Sequence, residues 1–207
     1  PLVDPAPFIR MHTRLLTQYG DANVVLHQYR QAYEKDPDDP LLNYRYGLIL
    51  GRTGKRTEAI KHLDKALAAR PLDTDILTDL GKLYFYDGQY DQAIKLLEGA
   101  VGAGVQQPDG LYFLARAHQE TGHLDTALSY FEALLENHPD YNQAHFDIGK
   151  VYSQMRRQGD AFFHLGRFYY GKGDMKKATF QLKKALEFDQ TPQQRKATEA
   201  LLAEIET

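Results

Sequence analysis

The stretch TDLGKLYFYDGQYDQAIKLLEGAV, Thr78 to Val101, is helical in nearly every respect, yet it carries Gly81 inside its first apolar segment. A glycine inside a helix costs about 1 kcal/mol relative to alanine. The pattern reads as two short amphipathic helices separated by a turn at Gly88, a residue suited to a left-handed helix C-cap. Gly81 then marks a place where one helix lies against another so closely that a side chain would force them apart. Packing outweighs propensity there.

The same frame recurs along the chain. Gly47, Gly81, Ala115 and Gly149 follow at a constant interval of 34 residues. Three residues on come Leu50, Tyr84, His118 and Tyr152; seven on, Gly54, Gly88 and Gly122; twelve on, Ala59, Ala93, Ala127 and Ala161. Counting back one period gives a weaker unit with Thr13, Leu16, Gly20, Ala32 and Pro37. Asp91 and Asp125 are placed to cap second helices, and Pro40 and Pro108 suit first turns, where the missing N–H costs little. Two departures stand out. GAVGAGVQQPDG, at 99–110, lacks the expected proline, so the helix from Tyr90 is expected to fray early, and 102–110 is a candidate hinge. Leu165-Gly166-Arg167-Phe168-Tyr169 arrives only half a period after Gly149, so the helix across AFFHLGRFYY must serve two pairs at once. It is apolar almost all round, as burial on two sides requires.

These positions resemble the tetratricopeptide repeat (TPR), and residues 74–107 match it with Leu77, Leu80, Gly81, Tyr84, Gly88, Ala93, Leu97 and Ala100. The resemblance implies an all-α, right-handed α-α superhelix (TPR solenoid) of about twelve helices. The expected division is 1–39 as a degenerate first repeat or linker, then repeats at 40–73, 74–107 and 108–141. A repeat with an overlapping half-period unit follows at 142–192, and a capping helix at 193–207.

Composition narrows the partners. The net charge of -3 argues against nucleic acid or an anionic membrane surface, and no apolar run reaches the roughly 18 residues of a spanning helix. With no cysteine, neither disulfides nor thiolate metal sites exist. PLVDPAPF holds no initiator methionine or signal peptide, and the expectation is a segment cut from a longer chain.

In the TPR family the fifth and ninth residues of each unit line the inner face. Carried over, the ninth positions are Arg14, Leu48, Lys82, Arg116, Lys150 and Arg167; the fifth are Arg10, Tyr44, Thr78, Tyr112, Phe146 and Phe163. Arg52 and Tyr86 lie at neighbouring positions. Five of the six ninth residues are cationic in an acidic chain, and four of the six fifth residues are aromatic. Rings and cations one turn apart suit a protein or peptide carrying acidic groups. The alternative is that these positions are polar because they face water. The paired lysine and asparagine carboxylate clamp of TPR co-chaperones is not reproduced, since no ninth residue is asparagine. A stand-alone adaptor for acidic tails and a self-associating homo-oligomer remain alternatives.

No HExxH, GxSxG or Walker A motif occurs, and the histidine spacings do not suit helical zinc ligands. His12, His118 and His145 read as packed between helices; Glu98, Glu132 and Glu187 read as a solvated surface. The segment is expected to be no enzyme and to hold no metal or cofactor. A second resemblance sets a context. HFDIGKVYSQMRRQGDAFFHLGRFYYGKGDMKKATFQLKKALEF, 145–188, is similar to the C-terminal repeats of bacterial zinc metallopeptidases that couple an HExxH domain to a TPR array, as FIRMHTRLLTQYGD, 8–21, is to their linking segment. That likeness implies a substrate- or partner-recruiting region, in the periplasm or cell envelope, of a parent working on outer-membrane proteins. Without it, the cytoplasm is expected.

Overall fold

Twelve α-helices, and no strand, are found among the residues that the computed structural model describes, 6–104, 107–188 and 191–206. They are α1 (Ala6–Tyr19), α2 (Ala22–Lys35), α3 (Pro40–Arg52), α4 (Arg56–Ala69), α5 (Thr74–Tyr86) and α6 (Tyr90–Gly102). Then come α7 (Pro108–Glu120), α8 (Leu124–Asn137), α9 (Asn142–Gln154), α10 (Gln158–Gly171), α11 (Met175–Ala185) and α12 (Pro192–Glu206). Proline opens α3, α7 and α12. Asp21, Asp39, Asp73 and Asp174 accept hydrogen bonds from amides of the first turns of α2, α3, α5 and α11.

Asp91 and Asp125 do not cap. The N-caps of α6 and α8 are Gln89 and His123, without side-chain cap bonds, and both aspartates lie inside the first turn. There a carboxylate faces the positive end of the helix dipole instead of the orphan amides. The expected fraying after Tyr90 is also absent: α6 runs to Gly102, and Gly104, at φ +81°, turns the chain. Val105 and Gln106, in the middle of the candidate hinge, lie outside the described residues.

The 34-residue frame is a packing frame. A Cβ on Gly81 would stand 2.7 Å from Leu97 Cγ, one on Gly47 3.0 Å from Leu63, and one on Gly166 2.6 Å from Leu182. All three leucines are fully buried, each stabilising the fold by ~2 kcal/mol. The turn glycines Gly54, Gly88 and Gly122 have φ of +83°, +77° and +82°. At the fourth equivalent place the chain puts Arg156, whose φ is +61°.

The helices cluster into two compact units, Pro1–Phe113 and Leu114–Thr207. In the first, the leading helices α1, α3 and α5 touch in succession, while α2 and α4 pack on α3 and α5 respectively. Tyr44, Leu63, Ala66, Ile76 and Leu80 form one core there, and Val25, Tyr29 and Ile49 another. In the second, α10 packs on both α9 and α11, the double duty expected from the half-period step, and Phe163, Leu182, Ala185 and Leu202 close the end beneath α12. His118 and His145 are buried, with His118 stacked on Tyr130. His12 is not: it lies exposed on α1 beside Phe8, because α1 carries no neighbouring helix on that side among the described residues.

Candidate functional site

The first unit holds an open cleft of about 460 Å3 across its leading helices. α1 contributes Arg14, Thr17 and Gln18; α3 contributes Leu48, Gly51 and Arg52; α5 contributes Asp79, Lys82, Leu83 and Tyr86; Asp109 comes from α7. Four of the expected groove residues, Arg14, Arg52, Lys82 and Tyr86, therefore converge. The period brings them together because leading helices stack with their equivalent faces turned the same way.

The cations are not idle, however. Arg14 grips Asp79 through Nε at 3.0 Å and Nη2 at 2.9 Å, and Asp75 through Nη1 at 2.8 Å. Arg10 reaches Asp75 at 3.0 Å and the cap residue Asp73 at 3.2 Å. Gln107 completes the cluster with a 2.8 Å donation to Asp75. Burial pushes the Asp75 carboxyl up, but Arg14, Gln107 and Arg10 together outweigh it and hold the group below its usual value. Lys82 contacts Asp109 at 2.5 Å and lies 5.4 Å from the Phe113 ring. Arg52 directs its guanidinium to the carbonyls of Thr17 and Gly20, at 2.5 and 2.7 Å, and so caps the C-terminal end of α1. The cleft alternates in sign; it is not the surplus of positive charge that the ninth positions suggest.

The aromatic positions divide. Tyr86 is half exposed in the cleft. Tyr44 is 1% exposed and lies in the core; its hydroxyl donates to Asp79 at 2.9 Å. Burial, and then the Asp79 charge, raise the Tyr44 hydroxyl far above its ordinary value, so it stays protonated. Tyr112 and Phe163 are also buried, at 7% each, and offer almost no surface to a ligand. Their period-matched place faces the helix interface, where rings fill the space between neighbours. As exposed anchors these three are corrected.

In the second unit Lys150 lies over the Phe146 ring at 5.9 Å, the one-turn pairing expected from the sequence, and also meets the buried Asp147 at 3.4 Å. Arg116 is half buried. Arg167 is exposed and lines a cleft of about 370 Å3 with Glu132, Glu136, His145, Ile148 and His164. That cleft joins α8, α9 and α10, because α10 serves as a second helix there. His145 and His164 meet Nδ1 to Nδ1 at 3.1 Å, so one ring must donate and the other accept. Burial, then the Arg167 charge, lower His145 to about 4; burial and the His145, Arg167 and Arg157 charges lower His164 as well. Glu98, Glu132 and Glu187 are exposed. Among the described residues no group of three or more His, Cys, Asp or Glu is arranged to hold a metal ion, and no helix is long and apolar enough to cross a membrane.

Sequence reasoning missed the carboxylate partners Asp75, Asp79 and Asp109. One signal was available: Arg10 and Arg14 are four residues apart, as are Asp75 and Asp79, so either pair can dock on the other as two adjacent turns.

Repeat register, buried small residues and helix pairing define a helical-repeat protein of the tetratricopeptide class. Tetratricopeptide-repeat models match residues 20–77, 52–116, 85–146 and 159–192, together well over half of the sequence. The chain belongs to the tetratricopeptide-repeat family. It is 26% identical over 156 residues to anaphase-promoting complex subunit 3 of Schizosaccharomyces pombe, a match covering 75% of this chain and 23% of that protein. It is 29% identical over 138 residues to the TPR repeat-containing protein YpiA of Bacillus subtilis, covering 67% and 29%. The chain thus spans only 23–30% of the length of the curated relatives it matches first. Among solved structures, MamA AMB-1 superposes with a TM-score of 0.70 at 23% identity, covering 80% of this chain and 98% of that one. A second crystal structure of MamA gives 0.68 at 19% identity, covering 80% and 96%. At these identities the likeness speaks for the fold alone.

Proposed function

We propose that this chain is a non-catalytic scaffold that holds a polypeptide segment in the cleft of its first unit, and that the bound segment carries acidic groups. The observation that supports this reading is the half-exposed Tyr86 ring beside Lys82 in an open cleft. A rigid ring supplies contact area at low entropic cost, and an ammonium group has three donors, more than Asp109 alone consumes. Asp109 is itself 46% exposed, so a ligand carboxylate can take its place at Lys82. Arg14 has no such role, because Asp75 and Asp79 already hold it.

The test is fluorescence anisotropy with a labelled pool of Asp- and Glu-rich decapeptides. Binding should weaken with salt, and Tyr86→Ala with Lys82→Glu should reduce it at least tenfold without altering the melting temperature. Unchanged binding by the folded double variant would move the site, and Arg116→Glu with Lys150→Glu would then test the second unit.

The metallopeptidase context is a further proposal, supported by the likeness of residues 145–188, where α10 is shared and Tyr169 and Tyr170 lie side by side. In that reading the repeats recruit a substrate or partner for a zinc peptidase in the cell envelope. Immunoblotting of fractionated cells decides it. A band far heavier than 23.7 kDa in the envelope supports the proposal; one near that mass in the cytosol leaves a stand-alone adaptor.

A further inference from the structure

The outward side of α11 departs from the repeat. In α4, α6, α8 and α11 the alanines Ala59, Ala93, Ala127 and Ala178 are buried against the partner helix. Two places on stand Lys61, Lys95, Ser129 and Phe180, all exposed, Phe180 by 61%. The fold therefore turns this place to solvent in all four helices, and α11 alone puts a ring on it. The charges change with the ring. Five places after the alanine, α4, α6 and α8 carry Asp64, Glu98 and Glu132, whereas α11 carries Lys183. Two places before it, Asp91 of α6 and Asp125 of α8 give way to Lys176.

α11 holds four lysines and no carboxylate, in a chain whose net charge is -3. Lys176, Lys177, Lys183 and Lys184 stand three or four residues from Phe180, so they surround the ring on one face. Ala178, Leu182 and Ala185 are buried on the other. Lys184 Nζ lies 5.9 Å from the Phe180 ring and 5.6 Å from that of Phe162. Asp174 meets Lys177 at 2.9 Å, and Glu206 of α12 meets Lys183 at 3.5 Å. Both pairs are open to water and so weakly held. Lys176 and Lys184 form no ion pair among the described residues.

The form of the patch selects its partner. Neither the cleft at Arg167 nor a second one between α10 and α12 takes a residue from it, so neither offers it a groove for a peptide. Lysine is a hydrated point charge, without the planar fork by which arginine grips a single carboxylate. Four of them around a projecting ring match a broad, diffuse negative surface. The field of such a surface reaches about a Debye length, ~10 Å at 0.1 M salt, so the local charge of α11 decides and not the sum over the chain. We propose that the outward face of α11 is a peripheral contact for an anionic lipid bilayer, with Phe180 entering the headgroup layer and the lysines lying over the lipid phosphates. Met175, 42% exposed at the start of the helix, adds apolar contact. This contact is separate from the cleft of the first unit and does not depend on it.

Co-sedimentation of the 207-residue chain with phosphatidylcholine vesicles, with and without phosphatidylglycerol, tests this directly. The chain should pellet with the anionic vesicles and not with the neutral ones, and salt should release it. Lys176→Glu with Lys183→Glu should weaken binding at least tenfold. Phe180→Ser, which installs the residue that α8 carries at this place, should weaken it severalfold. Melting temperatures should stay unchanged, because all three positions are exposed. The chain has no tryptophan, so Phe180→Trp provides a second readout: its emission should shift to the blue with anionic vesicles alone. A chain that ignores anionic vesicles overturns the proposal; if it then binds polyglutamate through the same lysines, the face belongs to an acidic polypeptide. Vesicle binding that survives the lysine reversals overturns it too, placing the contact elsewhere.

Discussion

Gly81 and Gly102 are both helical glycines, yet alanine should act oppositely at the two. At Gly81 the new methyl group meets Leu97 at 2.7 Å inside a closed core. Overpacking of that kind costs about 1–3 kcal/mol, which exceeds the gain of about 1 kcal/mol in helix propensity. At Gly102 nothing lies within 4 Å, so alanine should stabilise by about 0.5–1 kcal/mol. Urea midpoints of the two variants read the difference, and a stable Gly81→Ala would refute the close-packing account. Arg156 is the mirror case. It is exposed and holds φ at +61° where three other repeats place glycine. Arg156→Gly should raise stability by about 0.5–1 kcal/mol, the left-handed penalty less the added freedom of the unfolded chain; an unchanged or lower midpoint would count against strain there.

At the scale of elements, α1 is held by charge as much as by apolar contact. Arg14 bonds two carboxylates on α5, and Asp79 also accepts from Tyr44. Replacing Arg14 with methionine keeps the volume but strands a buried carboxylate, a change worth about 1–3 kcal/mol at a site that is not fully closed. Hydrogen exchange should quicken along α1 before it quickens in α4 or α6. Adding Asp79→Asn should recover part of the loss, and the coupling energy from that double-mutant cycle should be clearly non-zero. Full additivity would mean that Arg14 contributes through its alkyl chain alone.

For the whole molecule, acidity is the condition to which stability should respond most. His145 is lowered to about 4, against 6.5 for an unperturbed histidine, with His164, Arg167, Glu132 and Glu136 around the same cleft and Arg157 acting on His164. The unfolded chain therefore binds a proton that the folded chain refuses between those two values. Stability is fully present above pH 6.5 and falls as pH drops towards 4, by on the order of 3 kcal/mol at ~1.4 kcal/mol per unit. Asp75, also held below its usual value, extends the loss to still lower pH. Melting temperatures from pH 7 to 4 and the imidazole NMR titration of His145 check this; a midpoint near 6.5 for His145 would remove the effect.

The repeat, the helical class, the shared helix α10 and the left-handed turns were legible in residues alone. Each rests on a local rule repeated at fixed spacing: a glycine where Leu97 or Leu182 presses, another where φ is positive. Gathering Arg14, Arg52, Lys82 and Tyr86 into one cleft followed from the same period. The period could not say that Asp75 and Asp79, more than 60 residues from Arg14, neutralise it, or that Tyr44 and Phe163 turn into the core. Register fixes which face of a helix a residue occupies. Charge pairing depends on separations of a few ångströms, and burial on every neighbour at once. Those distances are set only when the helices are packed, and so the tertiary structure alone decided which cations are already engaged and which aromatic rings are buried.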